Sequence, residues 1–506
     1  MSLDPTGRNR IALAATCLAA LMFGLEISSV PVILPTLERV LAASFQDLQW
    51  IMNAYTIACT PVLMATGTLA DRFGRRRVFA VSIWAFAITS LICGLASSAL
   101  LLIIGRFLQG MAGGAIFICS IAVLSHQFRD GAERGRAFAM WGVIAGIGLG
   151  FGPAVGGMIV ALASWQWVFL VHVPLALMTL VLASAGVRES RDPAARHLDL
   201  AGIATLTVAV FCLAFYITQG PGLGFGSVAS LAILAVAVLS FIAFVFVEKL
   251  NAHPMFDFSV FRVRNFSGAI IGCIGMNFSY WPLMIYLPIY FTAGLGYDST
   301  VMGAVLLAYT MPFLVMTPVA QYLLHRHGAR TVIPLGLFTI GLGFLLMRFG
   351  SSAPQASWLT MLPGALIAGM GIGLTNTPVT DTTTGSVSAD RSGMASGIDV
   401  SARLIALAIN IAVMGFVLVQ GILAHLREAL PSGIDAAGLR TLAEGIASGS
   451  VTSLADRLPG VASDGVLHGA LTQGFGWITL YGGIGAWILA ALAFAILSPK
   501  RKARFA

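Results

Sequence analysis

The chain has 506 residues, of which 58% are hydrophobic and only 10% charged, with a formal net charge of +8. A soluble domain carries about 25% charged residues, so most of this surface cannot face water. The positive charge does not indicate nucleic acid, because the basic residues sit in short loops rather than on one face.

Apolar segments of about 20 residues, enough to cross hydrocarbon as helix, recur along nearly the whole length. Each must satisfy its own backbone hydrogen bonds, which selects helix; the dyad alternation of a membrane barrel is absent. Fourteen spans are predicted, at roughly 11–33, 48–70, 78–98, 100–124, 137–162, 166–186, 200–219, 227–248, 267–291, 299–323, 331–349, 358–383, 394–421 and 470–497. An even number puts both termini on one side. Loops on that side hold 22 of the 29 Lys and Arg residues and the opposite loops hold 5, while Arg106 and Arg403 lie inside spans. This bias makes both termini cytoplasmic. Arg8 and Arg10 lead straight into the first span with no small-residue cleavage site, so it reads as a retained helix.

Charges inside spans are expensive and usually functional. Glu26 stands about 22 Å into the first helix at 1.5 Å per residue, in its outer half. Arg106, in the fourth span, reaches a similar depth from the outside, so the two can pair. Burial disfavours a charged carboxylate and a nearby arginine favours it. Moving the arginine away would then load Glu26 with a proton; the alternative is a static buried pair.

Between the second and third spans, Gly67 to Arg77 forms a charged, glycine-bearing loop. Gly67 and Gly74 would permit close approach and a tight turn. Asp71 could cap a helix N-terminus or pair with an arginine, and Arg72, Arg75, Arg76 and Arg77 would anchor topology or latch a gate. In the fifth span, Gly148, Gly152, Gly156 and Gly157 are small residues that let helices pack closely, and Pro153 removes a backbone donor; together they predict a bendable seam.

Around the ninth span, Tyr280, Trp281 and Met284 could line a greasy cavity whose aromatic faces attract amines, or could simply pack. Residues Pro318 to Arg330 weakly echo Gly67 to Arg77 about 250 residues later, with His325 where the first copy has Asp71. Two such loops imply two related bundles around a midplane site. Asp381, toward the cytoplasmic end of the twelfth span, is a candidate for proton or substrate contact. Asp399 and Arg403, acid first at i,i+4, read as a mutually neutralising structural pair. The hydrophilic stretch 425–468 is expected on the outer side, as a surface loop with a short helix or as a lid. The six cysteines all lie inside apolar runs without CxxC spacing, so neither a disulfide framework nor a zinc site is expected.

These residues carry a resemblance. Gly67–Arg77 resembles the loop signature of the major facilitator superfamily, and Arg106-Phe107-Leu108-Gln109-Gly110 is similar to its fourth-helix motif. Gly148, Gly152, Pro153, Gly156 and Gly157 match its fifth-helix antiporter motif. Leu25-Glu26 through Pro35, Trp165 through Pro174 and Asp199 through Gly202 resemble patterns of its fourteen-helix drug:proton antiporter branch. Glu26 and Pro31 stand where that branch usually has Asp and Asn, and Gln166 and His172 where it usually has Arg and Asn.

The resemblance implies an all-α membrane protein with fourteen helices. They would fall as a six-helix bundle over 1–198, two linker helices over 199–265 and a second bundle over 266–506. It implies a non-enzymatic, proton-coupled exporter of lipophilic, cationic drugs in the bacterial inner membrane, with Glu26, Arg106 and Asp381 handling protons. No cofactor or metal is expected, because the proton gradient supplies the energy. The partners are a small-molecule substrate, protons and lipid, not nucleic acid; a monomer is expected, with room for a periplasmic adaptor. Export of an endogenous metabolite and a non-transporting sensor or scaffold remain the competing readings.

Overall fold

The computed structural model describes residues 5–128, 131–191, 199–251, 256–387, 392–430, 435–451 and 464–498, and among them only helix and connecting turns occur. Among the described residues, thirteen helices are long and apolar enough to cross a membrane. The second predicted span, within α2 (Phe45–Phe73, 29 residues), is not among those thirteen. Gln46, Asp47, Gln49, Asn53, Thr56 and Thr60 make this helix less apolar, and Gln49, Asn53, Thr56 and Thr60 are buried.

The chain forms two compact units, Met1–Met255 and Phe256–Ala506. The first unit contains α1 (Pro5–Leu41), α2, α3 (Arg75–Gly94), α4 (Ala99–Gln127), α5 (Gly131–Leu162), a single turn α6 (Trp167–Leu170), α7 (His172–Gly186), α8 (Leu200–Leu223) and α9 (Val228–Leu250). Within it α1 packs on α5 and α7, α4 on α2 and α3, and α8 on both α9 and α2. The second unit contains α10 (Arg264–Phe278), α11 (Tyr280–Ile289), α12 (Ser299–His327), α13 (Ala329–Ser351), α14 (Trp358–Gly385), α15 (Ser392–Ala429), α16 (Ala436–Ser448) and α17 (Asp464–Ile496). There α14 packs on α12 and α13, and α17 on α13, α15 and α10.

Short polar side chains start many of these helices. Ser44, Ser98, Asp199, Ser227, Asp298 and Asp435 each accept a backbone N–H from the first turn that follows, a cap that offsets the unpaired donors of a helix N-terminus. Glycine of positive φ ends four of them, at Gly74, Gly224, Gly328 and Gly449. Gly74 (φ +109°) separates α2 from α3, and Gly328 (φ +81°) separates α12 from α13. The weak sequence repeat is therefore a repeated backbone device: a single left-handed residue that turns the chain between consecutive long helices.

Three predicted segments carry internal detail that composition does not show. The ninth span, predicted over 267–291, is one apolar segment, Arg264–Gly294, with an irregular turn at Ser279 and a π-helical turn at Tyr290–Gly294. At the interruption the Asn277 amide donates to the Cys273 carbonyl and the Ser279 hydroxyl to that of Gly275, and Pro282 follows; side-chain donors and prolines are usual causes of a helix break. The sixth span, predicted over 166–186, is one apolar segment, Trp167–Gly186, with a turn at Val171 just before His172. The 425–468 stretch is mostly helical at its edges: α15 continues to Ala429, α17 begins at Asp464, and α16 lies between them with Leu442, Ala443 and Ile446 buried. Positions 431–434 and 452–463 of that stretch lie outside the described residues.

Candidate functional site

A cluster of titratable side chains lies deep in the first unit. Glu26 (α1), Arg106 (α4) and His172 (α7) are 0%, 0% and 1% exposed. Glycines bring their helices together. An added Cβ on Gly110 would stand 2.3 Å from the Tyr55 carbonyl oxygen, drawing α4 onto α2. One on Gly24 would stand 2.8 Å from the Ala145 carbonyl, drawing α1 onto α5.

Arg106 is held on several sides. Its Nη1 donates to Glu26 Oε1 and, at 2.8 Å, to Gln109 Oε1, while Nε donates to the Ile51 carbonyl at 3.1 Å. Its guanidinium carbon lies 4.3 Å from the Tyr55 ring centre, within cation–π range. Gln109 in turn donates to Ser90 at 2.9 Å. The second Glu26 oxygen, Oε2, faces His172 Nδ1 at 3.3 Å. That same nitrogen lies 3.1 Å from the Val168 carbonyl oxygen. Tyr55 Oη, Arg106 Nη2 and His172 Nε2 are buried without a hydrogen-bond partner. Glu26 Oε2 is likewise buried without a hydrogen-bond partner, and ion pairing offsets the desolvation of Glu26 and Arg106.

Sequence reasoning placed Glu26 and Arg106 at one depth, and the structure pairs them. It did not assign a role to His172 or Gln109. Gln109 follows Arg106 by three positions on one helix face, a spacing that could have exposed it. His172 carried one signal, its departure from the branch pattern.

The charged loop is built differently from expectation. Gly67 is not a turn residue: it lies inside α2, and an added Cβ there would meet Ile118 at an ordinary 3.8 Å. The backbone of Asp71 belongs to the last turn of α2, with Gly74 between α2 and α3; its side chain lies outside the described residues. Arg72 is exposed and stacks on the Phe73 ring, 5.5 Å from its centre. The residues after the turn instead dock on the segment that follows α7. The Arg75 amide donates to the Ser190 carbonyl at 3.0 Å, the Arg76 amide to Glu189 Oε1 at 3.2 Å, and Arg76 Nη2 to the Ser184 carbonyl at 2.7 Å. Arg77 Nε lies 3.7 Å from Glu189 Oε2. Glu189, which the sequence did not single out, is thus the acid that organises the start of α3. Replacing Gly74 by alanine is expected to lower stability by about 1–3 kcal/mol, the range for strained backbone. The new Cβ would stand 2.5 Å from Glu189 Oε1 at a φ of +109°. A thermal melt of the purified protein measures it, and an unchanged midpoint contradicts the account.

The fifth-helix glycines face α1. An added Cβ would lie 2.8 Å from the Leu21 carbonyl at Gly148 and 2.9 Å from the Ser29 carbonyl at Gly156, and would overlap Ser28 Oγ at Gly152. Ser28 also hydrogen-bonds across this seam to the Gly148 carbonyl at 3.0 Å. Pro153 and Gly157 are buried in the same helix.

The second unit holds its own polar group. Asp399 is 1% exposed, and Arg403 Nε donates to its Oδ2 at 3.1 Å. Thr380 donates to Asp399 Oδ2 at 3.1 Å and accepts from Arg403 Nη2 at 2.8 Å, and Arg403 Nη1 also reaches Asn376. The pair is therefore tied to α14 as well as neutralised within α15. Asp381, on the same helix, is exposed and accepts from Gln321 of α12 at 3.3 Å. Of the two readings of Tyr280, cavity lining or packing, this structure shows packing: it is buried in the core. Its hydroxyl donates to the Tyr309 carbonyl and Tyr309's donates to the Tyr280 carbonyl, both at 2.7 Å. The two rings stack at 4.2 Å, so one face of Tyr280 is covered. Met284 is also buried, while Trp281 is partly exposed. Among the described residues no group of three His, Cys, Asp or Glu side chains could hold a metal ion.

A family model described as Major Facilitator Superfamily matches residues 16–411. The multidrug resistance protein Stp of Mycobacterium tuberculosis is 32% identical over 429 residues, covering 84% of this chain and 79% of that one. The tetracenomycin C resistance and export protein of Streptomyces glaucescens is 28% identical over 497 residues, covering 96% and 91%. Among solved structures, a D-xylose-proton symporter superposes with a TM-score of 0.64 at 14% identity, covering 97% of this chain and 98% of that one, a likeness that establishes the fold.

Proposed function

The chain belongs to the Major Facilitator Superfamily, and from that premise we propose a proton-coupled antiporter that exports lipophilic, cationic drugs or toxic compounds. It would work by alternating access in the cytoplasmic membrane, with both termini on the cytoplasmic side and the proton gradient as its energy source. The observation that carries this reading is Glu26, a fully buried carboxylate shared between Arg106 and His172. A buried acid of this kind is costly to keep, and an acid whose countercharge can be withdrawn is a proton carrier. The names of the relatives support the direction of transport: one is a multidrug resistance protein and another a resistance and export protein.

In this scheme the outward-facing protein takes a proton into the Glu26 cluster, releases drug, and returns the proton to the cytoplasm as new drug binds. Arg106 balances Glu26 while it is ionised, and Gln109 and Tyr55 hold the guanidinium when the balance changes. No covalent step is involved.

The test is proton movement from everted membrane vesicles on adding ethidium. Dye-driven proton release is the expected result. Release driven by metabolites but not by dye would keep antiport and remove the drug label. No release from well-folded protein with any substrate would favour a sensor or scaffold.

A further inference from the structure

We propose that His172 is the residue that delivers the coupling proton to Glu26, using its two ring nitrogens in turn. The inference rests on the antiport reading above and assigns a step within it.

The geometry is asymmetric. Nδ1 lies between two oxygens, the Val168 carbonyl at 3.1 Å and Glu26 Oε2 at 3.3 Å. A carbonyl and an ionised carboxylate only accept, so Nδ1 carries a hydrogen. Nε2 is buried and has no partner, so it is the nitrogen left to take a second proton. Arg106 occupies Oε1, which leaves Oε2 as the oxygen to be protonated.

The step balances. A proton bonds to Nε2 and makes the imidazolium. The Nδ1–H bond then breaks as a new O–H bond forms on Oε2. The ring is left neutral with its hydrogen on Nε2, and one proton has crossed the imidazole. Nδ1 is engaged with the Val168 carbonyl and Glu26 Oε2 has no hydrogen-bond partner, so the transfer requires Nδ1–H to turn from the carbonyl to the carboxylate 3.3 Å away. Reversing these transfers discharges Glu26.

The surroundings restrict the choice of relay. From α1 the charged group facing His172 is Glu26, and from α4 it is Arg106, acting on the far oxygen of Glu26. Helix α3 presents the Phe86 ring, edge to face at 5.6 Å. Its other titratable groups are the Cys93 thiol, engaged with Gln109, and Arg75, Arg76 and Arg77 at its start. The turn α6 contributes none, and the charged residues of α5, Glu133, Arg134 and Arg136, lie in its first turns. A neutral histidine leaves the Glu26–Arg106 pair balanced, and a proton taken up by the ring makes the cluster net positive by one. That is the imbalance expected to loosen Arg106 from Glu26.

The test compares wild type with His172→Asn and His172→Gln in everted vesicles, following ethidium-driven proton release across pH 5.5–8.5. Asparagine keeps a donor near Nδ1 but has no second nitrogen to relay a proton. The expected result is at least a tenfold loss of proton-release rate in His172→Asn and a changed pH profile, with ethidium binding within twofold of wild type. If that variant fails to fold, as judged by its thermal melt, His172→Gln decides by the same criteria. A folded variant with wild-type rate and pH profile overturns the relay and leaves antiport standing. Absence of proton release in wild type itself overturns both.

Discussion

Replacing Glu26 by glutamine is expected to abolish substrate-driven proton release while leaving the chain folded. Glutamine keeps an oxygen to accept from Arg106 Nη1 but carries no negative charge and no exchangeable acidic proton. The guanidinium of Arg106, 0% exposed, is then an uncompensated buried charge, which costs roughly 3–5 kcal/mol when one partner of a buried pair is removed. The retained hydrogen bond and the cation–π contact with Tyr55 should hold the actual loss near the lower end. Two measurements separate the consequences: proton release in everted vesicles, expected at background, and the thermal midpoint in detergent, expected to fall. Glu26→Asp retains charge on a shorter arm and should recover part of the proton flux. A Glu26→Gln protein that still releases protons at the wild-type rate would remove Glu26 from the coupling mechanism.

The second large effect is expected at the α1–α5 seam. Gly148→Val should lower stability by about 1–3 kcal/mol, the range for overpacked interiors, and should lose most transport even in molecules that fold. An added Cβ at Gly148 meets backbone atoms: the Leu21 carbonyl at 2.8 Å, the Leu25 nitrogen at 3.1 Å and the Gly24 Cα at 3.2 Å. Backbone cannot rotate away as a side chain can, so the two helices must separate. Glu26 lies on α1 beside these contacts, and its alignment with Arg106 and His172 is displaced as the helix moves. Gly152→Ala should also destabilise: the Ser28 hydroxyl can turn at the loss of its bond to Gly148, but the new Cβ also stands 2.8 Å from Ser28 Cβ and 3.2 Å from its backbone carbonyl carbon, which no side-chain rotation clears. Thermal melts and vesicle transport rank the two variants; equal, wild-type behaviour of Gly148→Val would contradict a close-packed seam.

These two sites show how far the sequence can be read. The glycines of α5 were legible because small residues at helical spacing in an apolar span indicate a packing face. Their partner was not, since one helix's composition does not say which other helix meets it. Only the fold identifies α1, and with it the reason that Gly24, Ser28 and Ser29 are small. Glu26 and Arg106 were legible as charges in spans at matching depths. His172 was a departure from a pattern and nothing more, until the packing of α7 on α1 set its ring against Glu26. In the charged loop, spacing alone suggested that Gly67 and Gly74 serve close helix approach and a tight turn, without saying which does which. The structure uses one glycine, Gly74, because α2 continues through Gly67 and Asp71 and stops only where a left-handed φ is needed.

The amino-acid sequence by itself determined that the chain is a bundle of membrane-length helices and which ends of them are basic. Hydrophobicity and charge act residue by residue against lipid and water, so their pattern is local and readable. It also determined the family, through motifs that are contiguous along the chain. Tertiary structure alone decided which side chains share a buried site: that Arg106 pairs with Glu26 while His172 Nδ1 lies 3.3 Å from its second oxygen, that Glu189 meets the basic loop, and that Tyr280 stacks on Tyr309. Those outcomes depend on how helices distant in sequence pack to within a few ångströms, where directional hydrogen bonds and steric fit, not composition, select the neighbour.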